Sequence, residues 1–468
     1  MNIIEQLIQA VGKPKTEISS DNLFREIGFD GDSPRLGWVV PPAWEKIEET
    51  LLDINGLIEG KEEFIFVGIG GSGNGIKTLA SLGEDAPIHC IDSLDPQALD
   101  AILEKIKNKE KTLVVPISKS GSTAETQLLA KTLQAWFGDT WRKNFLWLSD
   151  KEAFVKLDSS GWQGSVKRTI QVDGSSDVGG RFTCPHTLIF LLPLLIMYDR
   201  NISKIKQLFS EYVQARNRIL PKAYELADTY RNEDPAFFSI VVSQKIKNAF
   251  ATWVTQLIQE SLGSKKEGFS VKTVVETYTQ EGFLPVALDA PDKDPFLYLM
   301  LLMHFLQVFV GCFAYLKGIN FVNQPCVETY KKMMRQLQDK PPAVPEKVDL
   351  TRLIKAIADR LMPEQSFIEV VLYCAPPKHI VEHLRNKITE AFPDKLLLIF
   401  LGSDWNHHSY QAASRDTTTL YVILGLERYR ETAAGVPSEY LRDNIDTLRR
   451  ISLATYHTIK DHAVYFSI

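Results

Sequence analysis

The sequence is poor in the residues that build covalent or metal-held scaffolds. Its 468 residues include only five cysteines, which are widely spaced and form neither a CxxC pair nor a zinc-ligand spacing. This pattern argues against a disulfide framework and gives no metal site, and it predicts reduced thiols in a cytoplasmic protein. The formal net charge of -5 gives no reason to expect nucleic acid or an anionic membrane as a partner.

Long hydrophobic runs are also scarce, with one exception. The N-terminus lacks the basic start and the apolar stretch of a signal peptide, which agrees with a cytoplasmic location. Residues 296–316 are long and apolar enough to span a bilayer, but His304 and Gln307 interrupt them. We predict a helix buried in a large core, and all-round hydrophobicity leaves membrane contact as the alternative.

Short β-rich runs alternate with helical patterns along most of the chain. In the first half, 64–68, 88–92, 112–118 and 144–149 have the pattern of buried strands, and a second alternation runs from 236 to 425. Such repetition predicts parallel sheets with helices on both faces. The expected fold class is therefore α/β, with two doubly wound, three-layer lobes around mainly parallel sheets and a helical C-terminal arm.

The same pattern suggests where the domains begin and end. We expect an N-terminal helical segment at 1–44, a first α/β domain at 45–205, a second at 206–430 and a helical arm at 431–468. Parallel sheets bind ligands beyond the carboxyl ends of their strands. The loops after residues 68 and 117 occupy that position, so the search for a site starts there.

The first of these loops is rich in glycine. It has the sequence "GIGGSGNG" at 68–75, directly after an apolar run. A dinucleotide site is one explanation, but the spacing differs from GxGxxG, and no Gly-Lys-Ser/Thr follows as it would in a nucleotide-binding P-loop. A sugar-phosphate site and a plain strand-to-helix turn remain the other two.

The second loop is rich in hydroxyl groups. "PISKSGSTAET" at 116–126 presents the hydroxyls of Ser118, Ser120 and Thr123 and the ammonium of Lys119 at the start of a helix. Short donors, one cation and the positive end of a helix make a cradle for a phosphomonoester. Because no apolar slot for a nucleobase is apparent, the pattern favours a small sugar phosphate.

Two further stretches place charged groups that could act on a bound sugar. Arg181 follows two glycines in "DVGGRF", so the backbone can approach the ligand and the guanidinium can contact an oxyanion. Gln256 and Glu260 are four residues apart and share a helix face. Glu260 lies near the helix end, where the dipole is expected to raise the pKa of a carboxyl group and make it a better base.

The last stretch, "INFVNQPCVETYKKM" at 319–333, predicts another helix start. Pro325 suits the first helical turn, with Asn323 or Gln324 as its cap. Gln324 and Lys331 then fall on one stripe of the helix, and a capped surface helix is the alternative explanation.

Taken in order, "GIGGS", "SKSGST.ET", "GGRF", "QLIQES.G" and "NQP.VE..K" resemble the glucose-6-phosphate isomerase family over about residues 60–335. The resemblance implies that both lobes have the sugar-isomerase (SIS) fold. It implies Glu260 as the base that moves a proton between C1 and C2, Arg181 as the group that stabilises the enediol, and Lys331 as a participant in ring opening. It also implies that Gln256 and Gln324 contact the sugar. The positions that match residues around the phosphate are Gly71, Ser72, Ser118, Lys119, Ser120, Thr123 and Gly180.

One part of the family pattern is missing. Many members carry a ring-opening histidine in a loop after the glutamate, but residues 269–303 contain no histidine, and His304 lies in the apolar helix as a predicted core residue. "WNHHSYQAAS" at 405–414 is similar to a degraded form of a late Leu-His-Ser-Thr-Gly-Gln stretch in some bacterial members. His407 or His408 is therefore the candidate ring-opening acid.

The implied reaction is the reversible isomerisation of glucose 6-phosphate and fructose 6-phosphate through a cis-enediol, without metal or cofactor. The resemblance also implies a homodimer. Three alternatives stay open: an isomerase that also accepts mannose 6-phosphate, a catalytically weak sugar-phosphate sensor, and a nucleotide-dependent enzyme.

Overall fold

A computed structural model describes residues 2–83, 85–263, 272–277, 294–338 and 342–468. The predicted strand at 283–288 lies outside the described residues. The strands in chain order are β1 Phe29–Asp30, β2 Ser33–Pro34, β3 Glu63–Val67, β4 Ile88–Ile91, β5 Thr112–Pro116, β6 Leu146–Ser149, β7 Val166–Thr169, β8 Phe237–Val242, β9 Lys272–Thr277, β10 Phe367–Leu372, β11 Leu396–Leu401, β12 Thr419–Gly425 and β13 Ala463–Ser467. The helices are α1 Ile3–Ala10, α2 Phe24–Ile27, α3 Trp44–Leu57, α4 Gly71–Ala80, α5 Pro96–Leu103, α6 Ala124–Phe137, α7 Phe154–Leu157, α8 Leu188–Met197, α9 Ile202–Thr229, α10 Lys247–Thr255, α11 Pro295–Lys317, α12 Val327–Gln336, α13 Leu350–Arg360, α14 Lys378–Ala391, α15 Gly402–Asn406, α16 Tyr410–Ala413 and α17 Ser438–Ile459.

The first lobe is built on a parallel sheet. Strands β4, β3 and β5 pair in that order, and isolated parallel bridges link β5 to β6, which pairs with β7. The order β4-β3-β5-β6-β7 reverses direction between β3 and β5, so their C-terminal loops diverge around a crevice. Those two loops are the glycine-rich and hydroxyl-rich ones.

The apolar runs of this lobe form strands because both faces of the sheet are covered. Phe64 to Val67 and Leu113 to Val115 are at most 3% exposed, as expected of parallel strands between two helical layers. The four predicted strands are present. Strand β7 was not predicted, because "VKRT" at 166–169 is half-buried and carries two cations.

A helical middle region follows the first lobe. Helices α9 and α11 pack along each other, and β8 pairs with β9 in parallel. Helix α11 is the apolar stretch seen in the sequence, and 89% of its most apolar window is buried inside the protein. His304 is fully buried there and accepts a hydrogen bond from Arg216 Nε at 3.1 Å. The core interpretation of this helix is therefore confirmed.

The C-terminal part has its own parallel sheet, in the order β11-β10-β12-β13. The final helix α17 is present as predicted, but it packs against α6, α12 and β12 instead of projecting from the molecule. The chain then ends in β13, which pairs with β12 and was not predicted. The reason is that α17 carries an apolar face, including Leu441, Leu448 and Ile451, which this packing buries.

A buried ionic cluster joins the middle region to this sheet. Lys272 Nζ at the start of β9 lies 2.8 Å from Glu369 Oε2 and 3.0 Å from Asp416 Oδ2, and it donates to Tyr421 Oη at 2.8 Å. All of these side chains are within 1% of full burial. Because an unpaired charge here would be uncompensated, the cluster fixes how the two parts meet.

Candidate active site

The glycine-rich loop connects β3 to α4. Gly70 is the N-cap of α4 and has a φ of 60°, a conformation that favours glycine. At Gly71, a Cβ atom would lie 2.3 Å from the carbonyl oxygen of Gly180. Glycine is therefore required at position 71 for the glycine-rich loop and the arginine loop to touch.

The hydroxyl-rich loop connects β5 to α6. Ser118 is 1% exposed, and its Oγ lies 3.0 Å from Thr123 Oγ1 and accepts from the Thr123 amide at 3.3 Å. Ser118 thus shapes the turn from within. Thr123 is the N-cap of α6 but makes no capping hydrogen bond, so it leaves the first turn of α6 uncapped by a side chain.

Two cations and a carboxylate lie beside this loop. Lys119 Nζ donates to the carbonyl of Ser176 at 3.0 Å and lies 3.4 Å from Asp150 Oδ2. Arg35 Nη1 donates to the same carbonyl, also at 3.0 Å. Burial raises the pKa of Asp150 to about 6, against the opposing effect of Lys119, and burial lowers the pKa of Lys119.

The arginine loop and the glutamate meet deep in the protein. Arg181 is 2% exposed, donates from Nε to Ser261 Oγ at 2.7 Å and also donates to the carbonyl of Phe321. Its Nη1 lies 3.7 Å from Glu260 Oε2. Burial raises the pKa of Glu260, while Arg181 and the hydrogen bond from Gln256 oppose the shift. The direction agrees with the sequence-based expectation, but the main cause is burial and not the helix dipole.

Gln256 connects three parts of the site. Its Nε2 donates to Glu260 Oε2 at 2.9 Å and to the carbonyl of His407 at 3.0 Å, while its Oε1 accepts from Asn74 at 3.2 Å. Gln256 and Glu260 lie in a π-helical turn, Gln256–Glu260, that continues α10. Such turns are frequent at functional sites, because they rotate side chains out of the regular helical register.

The two candidate histidines point in different directions. His407 Nε2 lies 2.9 Å from Glu125 Oε1 in the first turn of α6. Burial opposes its protonation, but the Glu125 carboxylate outweighs this and raises the pKa of His407. His408 is 1% exposed, contacts Phe400 and Ser409, and has a pKa lowered to about 4 by burial. It is therefore a neutral core residue, and of the two histidines His407 is the one that faces the site.

One cavity of about 300 Å³ collects most of the predicted residues. Its lining residues are Arg35, Ile69, Gly71, Ser72, Lys119, Ser120, Thr123, Asp150, Gly180, Arg181, Gln256, Glu260, Gln324 and His407.

Three predicted site residues do not line this cavity. Ser118 lies behind the loop and His408 lies in the core. Lys331 Nζ pairs with Glu328 at 3.2 Å on the partly exposed face of α12. Helix α12 begins at Val327 with Cys326 as its N-cap and no side-chain cap, so the predicted cap by Asn323 or Gln324 is wrong. Gln411 Oε1 accepts the amide of Cys326 at 3.0 Å instead.

Four residues of the site were not assigned from the sequence: Arg35, Glu125, Asp150 and Asp404. Glu125 stands inside the motif "SKSGST.ET", and Asp150 directly follows a predicted strand, so position gave a hint for both. Arg35 and Asp404 had no such hint, because they reach the site only through tertiary contacts.

The comparisons with known proteins agree with this geometry. Residues 58–185 match the family model described as phosphoglucose isomerase. A glucose-6-phosphate isomerase from Campylobacter jejuni is 30% identical over 261 residues, covering 52% of this chain and 59% of that protein. One from Thermus thermophilus is 27% identical over 246 residues, covering 49% and 55%. The chain thus spans only a little over half the length of these curated relatives.

Solved structures show the same fold. A hypothetical protein from Thermus thermophilus aligns with a TM-score of 0.53 and 21% identity, covering 72% of this chain and 94% of that one. A glucose-6-phosphate isomerase from Chlamydia trachomatis aligns with a TM-score of 0.50 and 16% identity, covering 72% and 83%.

Fold and cavity together define an α/β protein of the sugar-phosphate isomerase class. Within that class, the family match and the curated relatives confirm the resemblance stated from the five motifs: the chain is related to the phosphoglucose isomerases. The matched segment of the family model ends at residue 185, so Glu260 and Lys331 lie outside it.

Proposed function

We propose that the protein interconverts glucose 6-phosphate and fructose 6-phosphate through a cis-enediol intermediate, with Glu260 as the base. One observation carries this proposal. The hydroxyl and ammonium donors of the phosphate loop and the buried Glu260–Arg181 pair line one cavity of about 300 Å³, a volume suited to a small ligand.

The phosphate would bind beyond the carboxyl ends of β3 and β5. Ser72, Ser120, Thr123 and Lys119 line this part of the cavity, and the first turn of α6 has no side-chain cap. Exposed helix amides and a nearby cation stabilise a phosphate dianion. Binding at this end holds the reacting carbons against the other end, which lowers the entropic part of the barrier.

Glu260 would then remove the proton from C2 of the open-chain aldose. The electron pair of that C–H bond forms the C1–C2 double bond, and the carbonyl π electrons move to the oxygen on C1, giving the enediol. Returning the proton to C1 yields the ketose. Arg181 lies beside Glu260 at 3.7 Å, where its charge would stabilise the negative charge that develops on oxygen. A pKa raised by burial makes Glu260 a stronger base.

His407 is the proposed acid that opens the ring. Its raised pKa keeps a proton available near neutral pH, and Glu125 holds the imidazole in position at 2.9 Å. The proton passes to the ring oxygen while the C1–O bond breaks. Lys331 affects the electrostatics of Glu260 and His407 from the side, which gives it a supporting role.

The test is a coupled assay from fructose 6-phosphate to glucose 6-phosphate, with mannose 6-phosphate as a second substrate. The wild-type protein should turn over hexose 6-phosphate. Glu260→Gln, purified in parallel, should lose roughly 10²–10⁴-fold in kcat while still binding sugar phosphate. A sensor would bind the sugar without turnover and would be unchanged by this substitution, and binding of NAD or ATP would favour a nucleotide-dependent enzyme instead.

A further inference from the structure

The short helix α15 bridges the C-terminal part of the chain and the glycine-rich loop. Asp404 is 3% exposed, and its Oδ1 accepts the backbone amide of Gly70 at 2.7 Å. Its Oδ2 lies 3.6 Å from Lys77 Nζ on α4, and Lys77 also pairs with Asp92 at 2.5 Å. Burial opposes the charge on Asp404, but Lys77 outweighs it and lowers the pKa of Asp404, so the carboxylate stays ionised.

The residues that follow Asp404 fix α15 from behind. Trp405 is fully buried and donates from its indole to Glu369. Asn406 accepts from Tyr373 Oη at 2.5 Å and donates to Thr455 at 2.7 Å. The helix is therefore held on its C-terminal side by Trp405 and Asn406, while Asp404 provides the bond towards the first lobe.

His407 comes directly after these anchors and contacts the tip of the same loop. A Cβ atom on Gly70 would lie 2.8 Å from His407 Cβ and 3.1 Å from Gln256 Nε2. Gly70, His407 and Gln256 are thus in mutual contact, and a displaced Gly70 or α15 would move the imidazole relative to Glu260.

We propose that Asp404 is a positioning residue that ties the phosphate loop to His407, an inference that rests on the function proposed above. Its bond to Gly70 sets the distance between the loop that would hold the phosphate and the imidazole that would open the ring. Phosphate binding and ring opening are then coupled through one buried carboxylate from another part of the chain.

The first experiment measures inorganic phosphate affinity by calorimetry, which requires no turnover. Asp404→Ala should weaken phosphate binding on the order of tenfold, because the glycine-rich loop loses a charge-assisted bond. Asp404→Asn keeps an acceptor for Gly70 and should remain within about threefold of wild type. Asp92→Asn is the matched control: it removes a carboxylate from the same Lys77 but no contact to Gly70, so its affinity should not change. Thermal unfolding checks that each variant is folded.

The second experiment is a double-mutant cycle on kcat with His407→Gln. If Asp404 acts through His407, adding Asp404→Asn or Asp404→Ala to His407→Gln should lower kcat no further. Fully additive losses, unchanged phosphate affinity in Asp404→Ala, or an equal loss in Asp92→Asn would overturn the inference. If the wild-type protein does not turn over hexose phosphates, the proposed function fails, and the phosphate titration still decides the role of Asp404.

Discussion

The two ends of the cavity differ in how they hold charge. At the base end, the Arg181 and Glu260 side chains are 1% and 5% exposed, whereas at the phosphate end those of Lys119 and Asp150 are 23% and 14% exposed. Each end has one carboxylate near one cation, at 3.7 Å and 3.4 Å. The drier pair is suited to proton transfer at carbon, because buried charges interact strongly with a developing oxyanion. The wetter pair is suited to exchanging its internal ion pair for a phosphate.

The largest effect is expected at the base end. Arg181→Met should reduce kcat about 10²–10³-fold with a smaller change in KM, because the guanidinium is proposed to act mainly on charge that develops during the reaction. Steady-state kinetics of the folded variant measures both constants. A rise in KM with unchanged kcat would instead make Arg181 a simple binding residue.

The pH profile of the same variant gives a second, independent measurement. Burial raises the pKa of Glu260, and the charge of Arg181 acts against that rise. Removing this charge should therefore move the acid limb of kcat/KM to higher pH, because the carboxylate must be ionised to act as base. Arg181→Lys keeps the charge and should leave the limb near its wild-type position. An acid limb that moves to lower pH would contradict this account of Glu260.

A smaller effect is expected at the phosphate end. Lys119→Met should raise KM about tenfold and change kcat less, because the ammonium contacts a part of the substrate that does not react. The neighbouring exposed Lys151 is the matched control, and Lys151→Met should leave KM unchanged. Equal losses in kcat and kcat/KM for Lys119→Met would remove the distinction between the two ends.

The smallest effect concerns Asp150, whose pKa is raised to about 6 by burial. Below that pH the carboxyl group is neutral and leaves Lys119 free for phosphate; above it, the carboxylate competes for Lys119 and repels the dianion. The KM ratio of wild type to Asp150→Asn should therefore rise from near one at pH 5 to ~3–10 at pH 8. Since the phosphate of the substrate titrates identically in both proteins, the ratio isolates Asp150. A ratio independent of pH would exclude this role.

The two ends also differ in how well the sequence predicted them. At the phosphate end, Ser72, Lys119, Ser120 and Thr123 lie in loops that immediately follow predicted strands, so local pattern was enough to place them. Arg35 belongs to an N-terminal segment and reaches the same place only by folding back across the first lobe. No local pattern encodes such a contact.

The histidine shows the same limit more sharply. The sequence offered His407 and His408 without deciding between them, because adjacent residues share every local property. Anchoring of α15 through Trp405 and Asn406 turns His407 to Glu125 and His408 to the core. The choice between them was made by packing.

Local periodicity and turn chemistry were enough to determine the α/β class, the parallel strands, the two ligand-facing loops and the apolar core helix, since each depends on residues close together in the chain. Tertiary structure alone decided that Glu260 is buried beside Arg181, that Asp404 reaches the amide of Gly70, and that β13 completes the last sheet. The physical reason is that burial and electrostatic shifts arise from residues distant in sequence, and only the packed chain brings these together.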